Sequence, residues 1–297
     1  METAESLRRA IAVTNELQSL VKTMKALAGV NIRAYERSVH AVAEYNRTVE
    51  MGLQIALRKL PEHLVLPKYG PGRKLGVVVF GSDHGMCGQL NDLVVTYASR
   101  ALRKLSARRE TQVAIAVGSR AAAQLEALDR PVETCVRVPS SMAGITDAVE
   151  EVLRKIDEWH TQRGIELIVL FNARPVSGAR YRVRGVRLLP VDSQWINSLR
   201  TKRWPSKVIP TFTMDETRLF QALIREYLFV SLYRAFAESL ASENASRLAS
   251  MQVAERNIED RLHVLTTEAR RLRQASITLE LLDIIASFEA LRGKAKD

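Results

Sequence analysis

The sequence predicts an α/β protein: one long helix from each end of the chain, and between them an inserted Rossmann-like α/β domain. The two terminal helices are expected to close on each other as a long antiparallel coiled coil. Three observations carry this reading. Apolar residues recur at alternating steps of four and three along both ends of the chain. Proline is absent from both of those stretches. The middle alternates short β-branched apolar runs with helical patterns. The expected divisions are 1-60 for the first helix, 73-210 for the α/β domain and 211-297 for the last helix.

The first helix is read from a seam starting at Leu7 and running through Ile11, Thr14, Gln18, Val21, Lys25, Ala28, Ile32, Tyr35, Val39, Val42, Asn46, Val49, Leu53 and Ala56 to Leu60. Only Thr14, Gln18, Lys25 and Asn46 are polar. Pro61 is expected to end the helix. At 1.5 Å per residue such a helix extends roughly 80 Å, so part of it is expected to project from any domain this chain can build.

The middle opens with LGVVVF (Leu75–Phe80), a continuous apolar run typical of a strand buried on both faces. It continues with a helix (Leu90–Leu105), a strand (Val113–Val117), a helix (Ser119–Leu128) and a weak strand (Thr134–Val138). A helix (Ile145–His160) and a strand (Ile165–Phe171) follow. YRVRGVRLLPV (Tyr181–Val191) alternates basic and apolar residues, as a half-exposed strand pair would. The last helix is expected from about Met214 to Leu291, with Asp215 or Thr213 at its N-terminus. Its seam runs from Leu219 through Tyr233, Arg247, Met251, Arg261, Leu265 and Leu272 to Leu282 and Ala286.

Composition bounds the function. Among 297 residues, 46% are hydrophobic and 26% charged, as in ordinary soluble proteins, and aromatics are only 6%. The formal net charge of +11 points to a polyanionic neighbour or simply to a basic solvated surface. Two distant cysteines, Cys87 and Cys135, and five scattered histidines give neither a disulfide framework nor a metal-binding spacing. No cofactor or metal is therefore expected. METAESLRRA has no apolar h-region, and no run of about 18 apolar residues occurs, so neither a signal peptide nor a membrane span is expected.

The stretch FGSDHGMCGQLND (Phe80–Asp92) holds the residue types of a catalytic loop. Ser82, Asp83 and His84 are consecutive, however, and neighbours in an extended segment point to opposite faces, so they cannot chain hydrogen bonds as a triad. The glycines Gly81, Gly85 and Gly88 match neither the dinucleotide fingerprint nor the P-loop, and no lysine lies between Lys74 and Lys104. The favoured reading is a tight strand-to-helix turn in which Ser82 or Asp83 bonds local backbone and Cys87 is a small, semi-buried side chain. No catalytic residue is expected.

FGSDHGMCGQLN resembles the GSDRGLCGGLN signature of the gamma subunit of F-type ATP synthases, with Gly81, Ser82, Asp83, Gly85, Cys87, Gly88, Leu90 and Asn91 on the matching positions. Leu7–Ala28 is similar to that family's opening helix, with Lys22 and Met24 on its Ile-Thr-Lys-Ala-Met stretch. SENASRLASM (Ser242–Met251) and RQASITLELLDI (Arg273–Ile284) resemble its C-terminal motif, through Ile277, Thr278, Glu280 and Asp283. The resemblance covers the whole chain in the same order. His84 stands where the family has Arg, Gln89 where it has Gly, and Ser287-Phe288 where it has Gly-Ala. Ala28-Gly29-Val30-Asn31 replaces its Ala-Ala-Ser-Lys. These departures suggest a divergent branch, with the alternative sodium-type enzymes as the candidate.

The resemblance implies a non-catalytic rotor shaft inside a ring of alpha and beta subunits. It is peripheral at the cytoplasmic face of the membrane, with the epsilon subunit and the membrane c-ring as further partners and no substrate of its own. It implies rotor–stator contacts at Met24, Arg247, Arg273, Gln274, Thr278 and Glu280, and a shaft tip at Leu279, Leu282, Ile284 and Ile285. The polar seam residues Gln18, Lys25, Asn244, Arg247 and Arg261 either fix register or sit solvated where helices diverge. A basic patch at Arg180, Arg182, Arg184 and Arg187, within a run from Arg174 to Lys207 whose single acid is Asp192, is expected to face the ring, the small subunit or anionic lipid. The alternatives read from the residues are a basic coiled-coil nucleic-acid-binding protein, a nucleotide-dependent α/β enzyme and a scaffold. Against the first, no aromatic stacking platform or recognised reading motif is present.

Overall fold

The computed structural model describes residues 4–59, 74–104, 112–176 and 180–293. Leu60, Pro61 and Leu105, expected at helix ends, lie outside the described residues. Two compact units are present: Ala28–Ala249, and Met1–Leu27 together with Ser250–Asp297. The elements are α1 (Ala4–Lys59), β1 (Leu75–Phe80), α2 (Leu90–Lys104), β2 (Gln112–Val117), α3 (Ser119–Glu126) and β3 (Thr134–Val136). They continue with α4 (Gly144–Arg163), β4 (Leu167–Pro175), β5 (Tyr181–Leu189), α5 (Ser193–Thr201) and α6 (Glu216–Gly293).

In the larger unit a five-stranded sheet runs in the order β3-β2-β1-β4-β5. β1 lies parallel to β2 and β4, and β2 parallel to β3. Every residue of β1 is buried, because a central parallel strand is covered on both faces and on both edges. One face packs Val77, Val79, Val169 and Phe171 under α2 and α3. The other packs Val78, Phe80, Ile115 and Leu170 under α4 and the Leu228–Ala241 part of α6, with Tyr35 of α1. Phe80 meets Phe236 edge-on at 4.9 Å between ring centroids, which ties the central strand to α6.

β5 corrects one expectation. Tyr181–Val191 is not a strand pair but a single edge strand through Leu189, antiparallel to β4. The alternation is still explained: Tyr181 and Val183 pack on the α2 side and Val186 and Leu188 on the α4 side. Of the basic residues between them, Arg182 and Arg187 are exposed at the sheet edge. α5 has no counterpart in the sequence reading. Asp192 caps it by accepting from Gln194 N at 3.0 Å, and Ile196 and Leu199 pack on Val49, Leu53, Leu57 and Val230.

α1 and α6 run antiparallel within the larger unit. Asn31 meets Asn244 at 3.4 Å, Ser38 meets Tyr233 at 3.2 Å, and Tyr45 donates to Glu226 at 2.7 Å. The partners descend along α6 as they ascend along α1. Asp215 caps α6 through Arg218 N at 3.0 Å. In the smaller unit Lys25 forms an ion pair with Glu255, and Leu7, Val21, Met251 and Leu265 are buried. Every described seam residue of α1 is buried or half-buried.

The α6 seam behaves differently. It is covered from Leu219 to Ile258, Arg261 is exposed while neighbouring Leu262 is half-buried, and cover ends after Ala269. Leu272, Ala275, Leu279, Leu282 and Ala286, read from the sequence as seam, are exposed. The periodicity persists, but no apolar face among the described residues covers these turns.

Candidate functional site

The turn after β1 is a clamp. Ser82 is buried. Its N–H donates to Asn91 Oδ1 at 3.0 Å, Asn91 Nδ2 donates back to Ser82 Oγ at 2.9 Å, and Ser82 Oγ donates to the His84 carbonyl at 2.8 Å. This is the local backbone bond the sequence suggested. Asp83 does something else: its two carboxylate oxygens accept from Ser119 N and Val138 N, each at 2.8 Å. It thereby satisfies a first-turn donor of α3 and the chain leaving β3. A Cβ on Gly81 would stand 2.5 Å from Ala121 Cβ and 2.6 Å from Asn91 Oδ1, so only glycine lets the turn lie this close to α3. Gly88 sits at φ 56°, a left-handed position. At Gly85 a Cβ would make an ordinary van der Waals contact, with Arg120 Nη2 at 3.7 Å. Cys87 is buried rather than semi-buried, Leu90 is core, and Ser246 of α6 donates to the Cys87 carbonyl at 2.5 Å. Ser82 and Asp83 are thus held by structural bonds. Among the described residues no group of His, Cys, Asp and Glu could hold a metal ion.

One turn of α6 away from that contact lies a buried pair. Arg247 Nη2 meets Glu243 Oε1 at 2.6 Å, with both side chains mostly buried. Glu243 Oε2 is buried with no hydrogen-bond partner among the described residues. Burial pushes the Glu243 carboxyl above the ordinary carboxylate value, and Arg247 opposes that rise. Tyr35 on α1 is raised too, first by burial and then by the Glu243 charge.

The expected contact residues divide between the two units. Arg247 belongs to the larger unit, whereas Met24, Arg273, Gln274, Thr278 and Glu280 belong to the smaller one. Met24 is half-buried, and the other four are exposed. Thr278 Oγ1 donates to the Gln274 carbonyl at 2.9 Å, within its own helix. Of the polar seam residues, Lys25 and Asn244 reach across to the opposite helix, Arg247 bonds within its own, and Arg261 is exposed.

The basic strand divides as well. Arg180, Arg182 and Arg187 are exposed, and Arg187 lies 3.5 Å from Asp192. Arg184 instead turns in: its Nη2 meets Glu238 Oε2 at 2.5 Å, and its Nε donates to Asn172 Oδ1 at 3.2 Å. Glu238 and Asn172 are both buried, and neither was singled out by the sequence. An acid between Phe236-Ala237 and Leu240, inside the apolar-seamed part of α6, was the available signal.

The architecture defines the class: an antiparallel helix pair bearing an α/β domain, with Ser82 and Asp83 committed to structural hydrogen bonds. A sequence model of the family described as ATP synthase matches residues 3–291. The ATP synthase gamma chain of Thermobifida fusca is 25% identical over 290 residues, covering 96% of this chain and 95% of the relative. That of Nostoc punctiforme is 25% identical, covering 98% and 100%. Among solved structures, a chain of the Euglena gracilis mitochondrial ATP synthase (OSCP/F1/c-ring) matches with a TM-score of 0.66 and 17% identity, covering 99% of this chain and 96% of that one. A chain of the Tetrahymena thermophila central stalk and c-ring matches with 0.54 and 20%, covering 79% and 99%. The chain belongs to the gamma chains of the ATP synthase family, the non-catalytic central rotor shaft of that membrane-associated complex. No helix among the described residues is long and apolar enough to cross a membrane.

Proposed function

We propose that this chain turns inside a ring of alpha and beta subunits at the cytoplasmic face of the cell membrane, coupled through its basic edge to the epsilon subunit and the c-ring. The observation that carries this is the far end of α6. Its helical turns continue to Gly293, yet Leu279 and Ile284 are 65% and 64% exposed. Apolar residues at helical spacing with no cover among the described residues call for a collar supplied by other subunits.

The shaft works by differential contact. An asymmetric rigid element presses unequally on chemically identical neighbours and so holds their nucleotide sites in different states. Met24, Arg273, Gln274, Thr278 and Glu280 supply side chains to that surface. Arg247 contributes through the turn it shares with Glu243. Residues 1-60 and 211-297 form the shaft, and 73-210 form the domain that meets the small subunit and the ring. Arg180, Arg182 and Arg187 are the outward charges of that meeting.

Co-expression with alpha and beta subunits tests the reading: a stable complex with ATPase activity is expected. Failure to assemble, combined with salt-dependent binding of nucleic acid by the chain alone, would overturn it. Within such a complex, Arg182→Glu is expected to weaken attachment to the ring at moderate salt while leaving the shaft folded.

A further inference from the structure

β4, β5 and α6 bring three arginines together around one carboxylate, with a fourth beside them in the strand register. Glu238 is 1% exposed, and it takes Arg234 Nε at 3.0 Å and Arg174 Nε at 3.7 Å on Oε1. On Oε2 it takes Arg184 Nη2 at 2.5 Å and Asn172 Nδ2 at 3.2 Å. Both oxygens are thus engaged. The fourth arginine, Arg182, stands directly opposite Arg174 in the β4–β5 register. It lies two residues from Arg184 on the same strand face. Like charges directly opposite each other across a ladder repel. Among the described residues, Glu238 is the only carboxylate ion-paired with Arg174, Arg184 or Arg234.

The local account is four guanidinium charges against one carboxylate, so three positive charges remain. The side chains are only partly withdrawn from water: Arg174 is 53% exposed, Arg184 31% and Arg234 38%. The buried carboxylate engages one nitrogen of each fork, and every guanidinium carries further N–H donors beyond that one. Arg184 feels the excess: burial lowers its pKa first, Glu238 opposes this, and Arg234 and Arg174 add to the lowering. An added anion would relieve that repulsion.

We propose that Arg174, Arg182, Arg184 and Arg234 form a binding site for a phosphate-type oxyanion, preorganised by Glu238 and Asn172. The chemistry fits a compact, multiply charged acceptor that can take several N–H donors at once. Such an oxyanion can come from inorganic phosphate or from a phospholipid headgroup. The site is independent of the rotor assignment, since it uses only the geometry of the larger unit.

The full chain would be titrated with inorganic phosphate against chloride at matched ionic strength, with calorimetry and ³¹P line broadening as readouts. A second arm would measure co-sedimentation with phosphatidylglycerol and with phosphatidylcholine vesicles. Saturable one-site phosphate binding is expected, weakened about tenfold in Arg182→Gln, the loss of one charge-assisted contact. Arg100→Gln, on exposed α2 surface, is expected to bind as wild type. Selective sedimentation with phosphatidylglycerol, reversed by free phosphate, would identify the headgroup as the source. Phosphate binding without vesicle binding would identify the free ion. Arg182→Gln removes an exposed side chain and keeps the Glu238 anchor, so the variant is expected to fold. Absence of binding in both arms, or equal binding by wild type and Arg182→Gln, would overturn the proposal.

Discussion

Asp83→Ala is the sharpest probe of the loop as a clamp. The carboxylate accepts two backbone N–H bonds at 2.8 Å, from Ser119 and Val138. Hydrogen bonds to a charged group each contribute about 1.5–3 kcal/mol. Ser119 is exposed, so water replaces much of its bond, whereas Val138 is half-buried and is replaced less well. The expected loss is therefore about 3 kcal/mol, near the lower end of the two-bond sum. Asp83→Asn keeps one acceptor oxygen but turns an NH2 toward the other donor, and should lose somewhat more than half as much. Urea unfolding of the full chain, followed by circular dichroism, would report a lowered midpoint at unchanged slope. A change below about 0.5 kcal/mol for Asp83→Ala, within the range of ordinary surface substitutions, would refute the clamp and reopen a chemical role for the loop.

Two further outcomes are expected. Glu243 has a folded-state pKa raised above its ordinary value, so the native state holds more protons than the unfolded state between the two values. Its contribution to stability is present below the ordinary value and is lost as pH rises through the raised one; the melting temperature of wild type relative to Glu243→Gln should fall across that window, and a flat difference would contradict it. Leu279→Ser combined with Leu282→Ser should leave the melting temperature of the isolated chain unchanged, since both side chains are exposed. The same pair should reduce ATPase activity of the assembled complex by several-fold, and unchanged turnover would count against a collar around that end.

What the sequence disclosed and what it withheld follow from the range of the interactions. β1 was legible to the residue because LGVVVF is apolar throughout, and only burial on both faces accommodates that. The α1 seam was legible because a repeat sustained over 56 residues is hard to produce by chance. α5 was not: nine residues are too few for a period to stand out, and Asp192 was the one usable sign. The local bond expected of Ser82 or Asp83 is made by Ser82, whereas the partners of Asp83 lie 36 and 55 residues away. The Glu238 cluster gathers residues from β4, β5 and α6, with Asn172 separated from Glu238 by 66 positions. Such pairings are set by the sheet register, which no local pattern encodes. At the end of α6 the helix was legible but its cover was not: a repeat shows which face is apolar, not whether another helix of the chain covers it.

That uncovered end has a mechanical consequence. In the smaller unit α6 is braced by α1 near Lys25–Glu255 and Leu265, but every described side chain from Arg270 to Ala286 is exposed. Two helices locked side by side resist bending and twisting far better than one, and a lone helix in water is held only by its own turns. Compliance is therefore graded along α6. The braced stretch is fit to carry torsional load, while the unbraced stretch is fit to seat in a socket supplied by other subunits, as the spindle of a bearing does.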